Sequence, residues 1–116
     1  MAITIIPHSA SCTDLTDDGP VGRPLSQPPC RTSSFKFDIE GAGQNRAGLW
    51  ECTVGSYERQ VPEAEVMHIL AGECLFTPTG GTPIRIKTGD TLFFPANTTG
   101  IWEILEPLRK VYVILQ

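Results

Sequence analysis

Few side chains in this chain can do chemistry, and they are scattered. Glu65 begins an apolar stretch, Glu65-Val-Met-His-Ile-Leu70, and Lys110 begins another, Lys110-Val-Tyr-Val-Ile-Leu115. A carboxylate buried among apolar residues is costly unless it is paired. Lys110 and Tyr112 share one face of the last strand. If that face points inward, the ammonium meets the Glu65 carboxylate; if it points outward, Lys110 makes an exposed ion pair. The inward arrangement shifts the proton affinities of both groups, a common feature of acid–base sites. Glu65 would then serve as general base or acid, with Lys110 or Tyr57 stabilising developing charge. Arg59 and Tyr112 are the remaining polar candidates. Trp50 and Trp102 each precede a glutamate. Both indoles are candidates to flank one cavity, although a core role serves Trp50 equally well. His68 lies three residues from Glu65, an odd offset that puts it on the opposite face of a strand. His8 is distant in sequence.

These residues need a framework, and composition limits what it is. The chain has 116 residues, 41% of them apolar. That is one domain over residues 1–116, with enough apolar content for a core. Apolar runs stay well short of the roughly 18 residues that a membrane span needs. The N-terminus lacks the basic start and long apolar run of a signal peptide. The expectation is a cytoplasmic protein with no membrane partner. A net charge of -4 argues against phosphate backbones, so no nucleic-acid partner is expected. Cys12, Cys30, Cys52 and Cys74 form no Cys-x-x-Cys pair and read as reduced thiols, some of them in the core.

Eleven glycines and ten prolines punctuate the chain, which favours short strands over helices. Expected strands are Ala2–Ile6, Ser33–Ile39, Ala47–Thr53, Glu65–Leu70, Cys74–Thr77, Pro83–Lys87, Thr91–Phe94, Gly100–Leu105 and Arg109–Leu115. Ser33–Ile39 shows the clearest alternation, with Phe35, Phe37 and Ile39 on one face. Residues 7–32 hold few apolar positions and read as an irregular arm lying across a barrel core of about residues 33–115, or across a neighbouring subunit. The last strand is apolar on both faces, which suggests an oligomer interface or a sheet-on-sheet core. The pattern as a whole is all-β.

Glu65 is followed after six residues by Gly72, and Gly89 after five by Pro95. These spacings resemble the two cupin motifs. The resemblance is closer to small single-domain cupins of the ureidoglycine-aminohydrolase and ethanolamine-utilisation type. It is carried by Gly22-Arg-Pro-Leu25, Gly48-Leu-Trp-Glu-Cys52, Pro62-Glu-Ala-Glu65, Ile69-Leu-Ala-Gly72, Gly89-Asp90, Phe94-Pro95, Gly100-Ile-Trp-Glu103 and Arg109-Lys-Val-Tyr-Val113. It implies an all-β jelly-roll barrel, the RmlC-like double-stranded β-helix. In metal-binding cupins the first motif supplies two histidines and a glutamate, and the second supplies one histidine. Here the histidine positions fall on Arg59 and Val61, or on Glu58 and Gln60, and then on Gly100; Glu65 alone remains. One carboxylate does not hold a transition metal, so neither metal nor cofactor is expected.

With Glu65 and Gly100 pointing in, Met67, Ile69, Trp102 and Ile104 share the interior. The expected function is binding of a small polar molecule with a planar part, stacked on Trp102 and hydrogen-bonded by Glu65. Trp50, Tyr57, Arg59, Met67, Trp102 and Tyr112 are the expected ligand contacts. A first alternative is a metal-independent isomerase or hydrolase of a small nitrogenous or sugar-like substrate, with Glu65 and Lys110 catalytic. A second is a non-catalytic structural or regulatory protein whose barrel is filled by Met67, Ile69, Phe93 and Trp102. A homodimer is expected.

Overall fold

The computed structural model describes residues 2–116. They form the strands β1 (Thr16–Pro20), β2 (Arg31–Lys36), β3 (Arg46–Cys52), β4 (Gly55–Val61), β5 (Glu65–Pro78), β6 (Ile84–Lys87), β7 (Thr91–Phe94) and β8 (Thr98–Ile114). All pairings are antiparallel, and no helix among the described residues is long and apolar enough to cross a membrane. The two long strands, β5 and β8, are paired along their length and organise the barrel. The first half of β5 also pairs with β7, and the second half with β6. The second half of β8 pairs with β3, and the first half with β4. Each long strand therefore contributes to both walls of a jelly-roll sandwich, with the apolar core between them.

The fold over the corner is built from glycine and proline. The sequence suggests breaks at Ala71-Gly72-Glu73 and at Glu106-Pro107, but both strands run through them. The pairing register shifts between Ile69 and Cys74. Burial along β5 changes phase there, from Glu65, Met67 and Ile69 to Cys74 and Phe76. That is the signature of an inserted bulge residue, which bends and twists a strand. Gly72 has a φ of +92°, and a Cβ on it would lie 2.3 Å from the Pro107 carbonyl oxygen. Pro107 sits where the ladder is already interrupted, which is where a strand tolerates a residue without an N–H. Gly72→Ala should therefore cost on the order of 3 kcal/mol, at the upper end for a forced left-handed residue. An unchanged urea midpoint would show that the corner is not constrained as described.

Three other sequence expectations are corrected. Ala2–Ile6 forms no strand; Ile3 and Ile5 are 92% and 80% exposed, with no neighbouring strand to pair with. The arm over residues 7–32 is not wholly irregular, because β1 pairs with β2 through a register shift between Asp17 and Gly19. Its Thr-Asp-Asp-Gly-Pro sequence has no apolar face to announce a strand, as is usual for a protected edge. The arm also reaches β4: the Glu58 N–H donates to the Arg23 carbonyl at 3.0 Å and the Leu25 N–H donates to the Ser56 carbonyl at 2.9 Å. It thus lies across the barrel, spanning the side between β2 and β4. Finally, β4 itself has no counterpart among the expected strands. Its inward row is Gly55, Tyr57, Arg59 and Val61, and the arginine interrupts the apolar alternation.

The last strand is apolar on both faces but covered on only one within a chain. Lys110, Tyr112 and Ile114 face inward. On the outer row Val113 remains 36% exposed and its near neighbour Phe93 60% exposed. Phe94, not Phe93, fills the core.

Candidate functional site

Strand register brings the candidate residues together. In the antiparallel ladder Lys110 of β8 sits directly between Trp50 of β3 and Ile69 of β5. Residues directly opposite share a face, so Lys110 and Trp50 point inward alongside Ile69. Glu65 and Met67 precede Ile69 on the same face by the two-residue period. The Lys110 ammonium donates to Glu65 Oε2 at 3.0 Å and lies 3.7 Å from Met67 Sδ. It also stands 4.6 Å from the Trp50 ring centroid and 5.8 Å from that of Trp102. The Lys110 and Glu65 side chains are only 6% and 4% exposed, so of the two arrangements left open by the sequence the inward one holds. Burial lowers the Lys110 pKa below the ordinary lysine value, and the Glu65 charge works against that shift. His68 lies on the opposite side of β5, 2.7 Å from Thr91 Oγ1, and takes no part.

The expected cavity over Trp102 is filled. Glu65, Met67 and Trp102 are 3%, 1% and 2% exposed. Phe94 stacks on Trp102 at 5.6 Å and 9°, and Phe76 packs against it at 4.9 Å. A ligand therefore finds the Trp102 ring already occupied. The accessible indole is Trp50, which is half-buried. Together with Tyr57, Arg59 and Val21–Arg23 of the arm it lines a cleft of about 300 Å3. Three expected contacts, Trp50, Tyr57 and Arg59, thus meet at one mouth, and Glu65, Met67, Lys110 and Trp102 lie sealed behind it. Tyr57 is 5% exposed; burial pushes its phenol well above the ordinary pKa, and the hydroxyl lies by the Cys52 thiol. Arg23 pairs loosely with Glu58 at 3.8 Å, both largely exposed, an interaction worth little.

Tyr112 opens elsewhere. It lines a separate cleft of about 290 Å3 with Lys36 and Arg46. A Cβ on Gly48 would come within 2.6 Å of the Tyr112 hydroxyl, so the glycine makes room for the phenol. Burial, and then the Glu65 charge, raise the Tyr112 pKa. Sequence reasoning missed a larger groove of about 540 Å3, lined by Arg23, Glu58–Gln60, Thr77–Gly81 and Thr99–Ile101. Threonine, glutamine and arginine on exposed strand positions carry no distinguishing pattern, so nothing in the sequence announced it.

The residues present do not suit the metal of metal-binding cupins. Arg59 and Gly100, at two of the ligand positions, are direct cross-strand partners. A Cβ at Gly100 would lie 2.4 Å from the Thr77 carbonyl oxygen and 2.6 Å from Phe76 Cζ. No imidazole fits there unless Phe76 moves. Glu65 spends an oxygen on Lys110, and among the described residues no three potential ligands of the His, Cys, Asp or Glu type cluster together. The donor set falls short of the three or so protein ligands that such a site requires. Gly100→His should not create a metal site; metal retained by that variant on dialysis would contradict the packing.

Three cysteines, Cys30, Cys52 and Cys74, are buried in the core and unpaired. Burial pushes the Cys74 thiol from 9.0 up to about 12, and it raises Cys30 and Cys52 as well. The unfolded chain releases these protons first, so stability is lost as pH rises from 9.0 toward about 12. Lys110 works the other way: its folded pKa lies below 10.5, so the penalty of burying its charge eases as pH climbs. The thiols outnumber it. Melting temperature in reducing buffer should fall above pH 9.0, and Cys74→Ala should make that fall shallower.

Comparison with known proteins places this architecture. Residues 39–112 match the family model of the EutQ-like cupin domain. No curated protein matches the chain. A protein of unknown function of the DUF861 family from Pseudomonas syringae superposes with a TM-score of 0.76 at 24% identity, over 87% of this chain and 44% of that one. This chain therefore spans less than half the length of that relative. A putative ethanolamine utilization protein Q from Salmonella typhimurium gives 0.64 at 20% identity, over 76% and 71% of the two chains. A DUF861 family protein from Thermotoga maritima gives 0.58 at 24% identity, over 71% and 99%. These likenesses support the barrel fold. With almost two thirds of its length matched by the family model, the chain belongs to the EutQ-like cupin family.

Proposed function

We propose that this cupin binds a small planar anion in the cleft over Trp50, without a metal. The carrying observation is the half-buried Trp50 indole, which lines one cleft with Arg23, Glu58 and Arg59 and has the Lys110 ammonium 4.6 Å from its ring centroid. A volume near 300 Å3 is at the small end of ligand pockets, roughly 300–1,000 Å3. It suits a molecule of about benzoate size. The ring would stack on Trp50 and the carboxylate would pair with Arg59, with Tyr57 forming part of the cleft wall. Glu58 lines the same cleft and offsets Arg23, so Arg59 is the cation left to draw an anion to it. The glutamate that ligates metal in other cupins here holds the Lys110 cation in place.

Calorimetric titration with benzoate, and with neutral benzamide as control, tests this. Benzoate should bind saturably and benzamide at least several-fold more weakly. Arg59→Gln should weaken benzoate binding about tenfold, the equivalent of one lost charge-assisted hydrogen bond. Equal affinity for the acid and the amide, or an Arg59→Gln variant that binds as well as the parent, would remove the anion site from the cleft.

A further inference from the structure

Lys110 differs in kind from the other two lysines of the chain. Lys36 and Lys87 are exposed. Lys110 is enclosed by Trp50, Trp102 and Met67 and is hydrogen-bonded to Glu65 at 3.0 Å, with Arg59 and Cys74 also acting on its charge. A buried ion pair is a poor device for stability, because removing two charges from water offsets most of their attraction. The arrangement does match what a carbonyl-reactive lysine needs. The amine is desolvated in an apolar setting, a carboxylate can take and return its proton, and an anion-attracting cleft lies next to it. Trp50 lies over the ammonium and also lines the cleft, so this one half-buried ring stands between the two and would have to turn aside for a carbonyl to reach the amine.

We propose that Lys110 forms an imine with a small 2-oxo acid whose carboxylate is held by Arg59 in the Trp50 cleft. This rests on the reading of the cleft as an anion site and adds a covalent step to it. Glu65 takes a proton from the ammonium. The free amine attacks the carbonyl carbon, a C–N bond forms, and the carbonyl π pair moves to oxygen. A proton shift from nitrogen to oxygen gives the neutral carbinolamine. Glu65 returns its proton to the carbinolamine hydroxyl, the C–O bond breaks, and water leaves as nitrogen closes the C=N bond. The balance is ketone plus ammonium giving iminium plus water, with no oxidant or reductant. The iminium keeps the positive charge, so the pairing with Glu65 survives the reaction. Burial lowers the Lys110 pKa and so enlarges the fraction of free amine at neutral pH.

The test uses the unmodified protein with pyruvate and sodium cyanoborohydride at neutral pH, followed by peptide mass mapping. Cyanoborohydride converts an imine to a stable secondary amine, and Lys36 and Lys87 act as internal standards. Preferential labelling of Lys110, suppressed by excess benzoate and reduced several-fold in Arg59→Gln, is the expected result. Labelling confined to Lys36, Lys87 and the N-terminus, while benzoate still binds, would overturn the imine and leave the anion site standing. The same labelling pattern with no benzoate binding would overturn both. Lys110 labelling that neither benzoate nor Arg59→Gln affects would overturn the placement of the oxo acid in the cleft.

Discussion

Lys110→Met lowers folding stability by about 3–5 kcal/mol, and adding Glu65→Leu to it returns most of that loss. The single change leaves the Glu65 carboxylate 4% exposed, among apolar neighbours and without its ammonium. It must then either stay charged in a poorly solvating interior or take up a proton, and both are unfavourable. The double change removes the charge problem altogether. Methionine and leucine fit beside Met67, Ile69 and Trp102, so the double variant should lie within about 1 kcal/mol of the parent. Urea unfolding of the two single variants and the double variant measures the coupling. Singles that cost under about 1 kcal/mol, the value for a solvated surface pair, would contradict the burial of this ion pair.

The second large effect is at Trp102. Its indole is 2% exposed and packed between Phe94 and Phe76. Trp102→Ala removes the largest buried side chain, and the cavity left by an indole costs roughly 3–5 kcal/mol. Trp50→Ala should cost clearly less, because that ring is half-buried, yet it should abolish benzoate binding. The two tryptophans thus separate structure from function. Equal stability losses, with binding retained in Trp50→Ala, would exchange the roles assigned to them.

The barrel was legible because glycine and proline cut the chain into short strands, and because Glu65 and Gly72, and Gly89 and Pro95, stand at fixed spacings. The Glu65–Lys110 pair was half legible: Lys110 and Tyr112 share one face of the last strand, but a stretch apolar on both sides does not say which face turns inward. Other features lay beyond any local pattern. Gly72 and Pro107 read as strand ends, since a break and a bulged corner use the same residues. β4 was hidden by Arg59, whose presence on an inward row makes sense only at a cleft mouth. β1 has no apolar side chain, and what orders it is the free edge of β2. The choice between the two indoles was also unreadable. Trp102 is sealed by Phe76 and Phe94, which approach from other strands, and Trp50 stays partly open at a cleft walled by the arm and β4.

The most direct measurement is a proton–nitrogen correlation spectrum of the parent protein during benzoate addition. The chain has two tryptophans, so two indole N–H signals report on the two rings. Binding in the cleft predicts a saturable shift of the Trp50 signal, with Trp102 moving far less and Arg59→Gln suppressing the change. A spectrum in which neither indole moves at saturating benzoate, or in which Trp102 moves and Trp50 does not, would contradict a ligand site over Trp50.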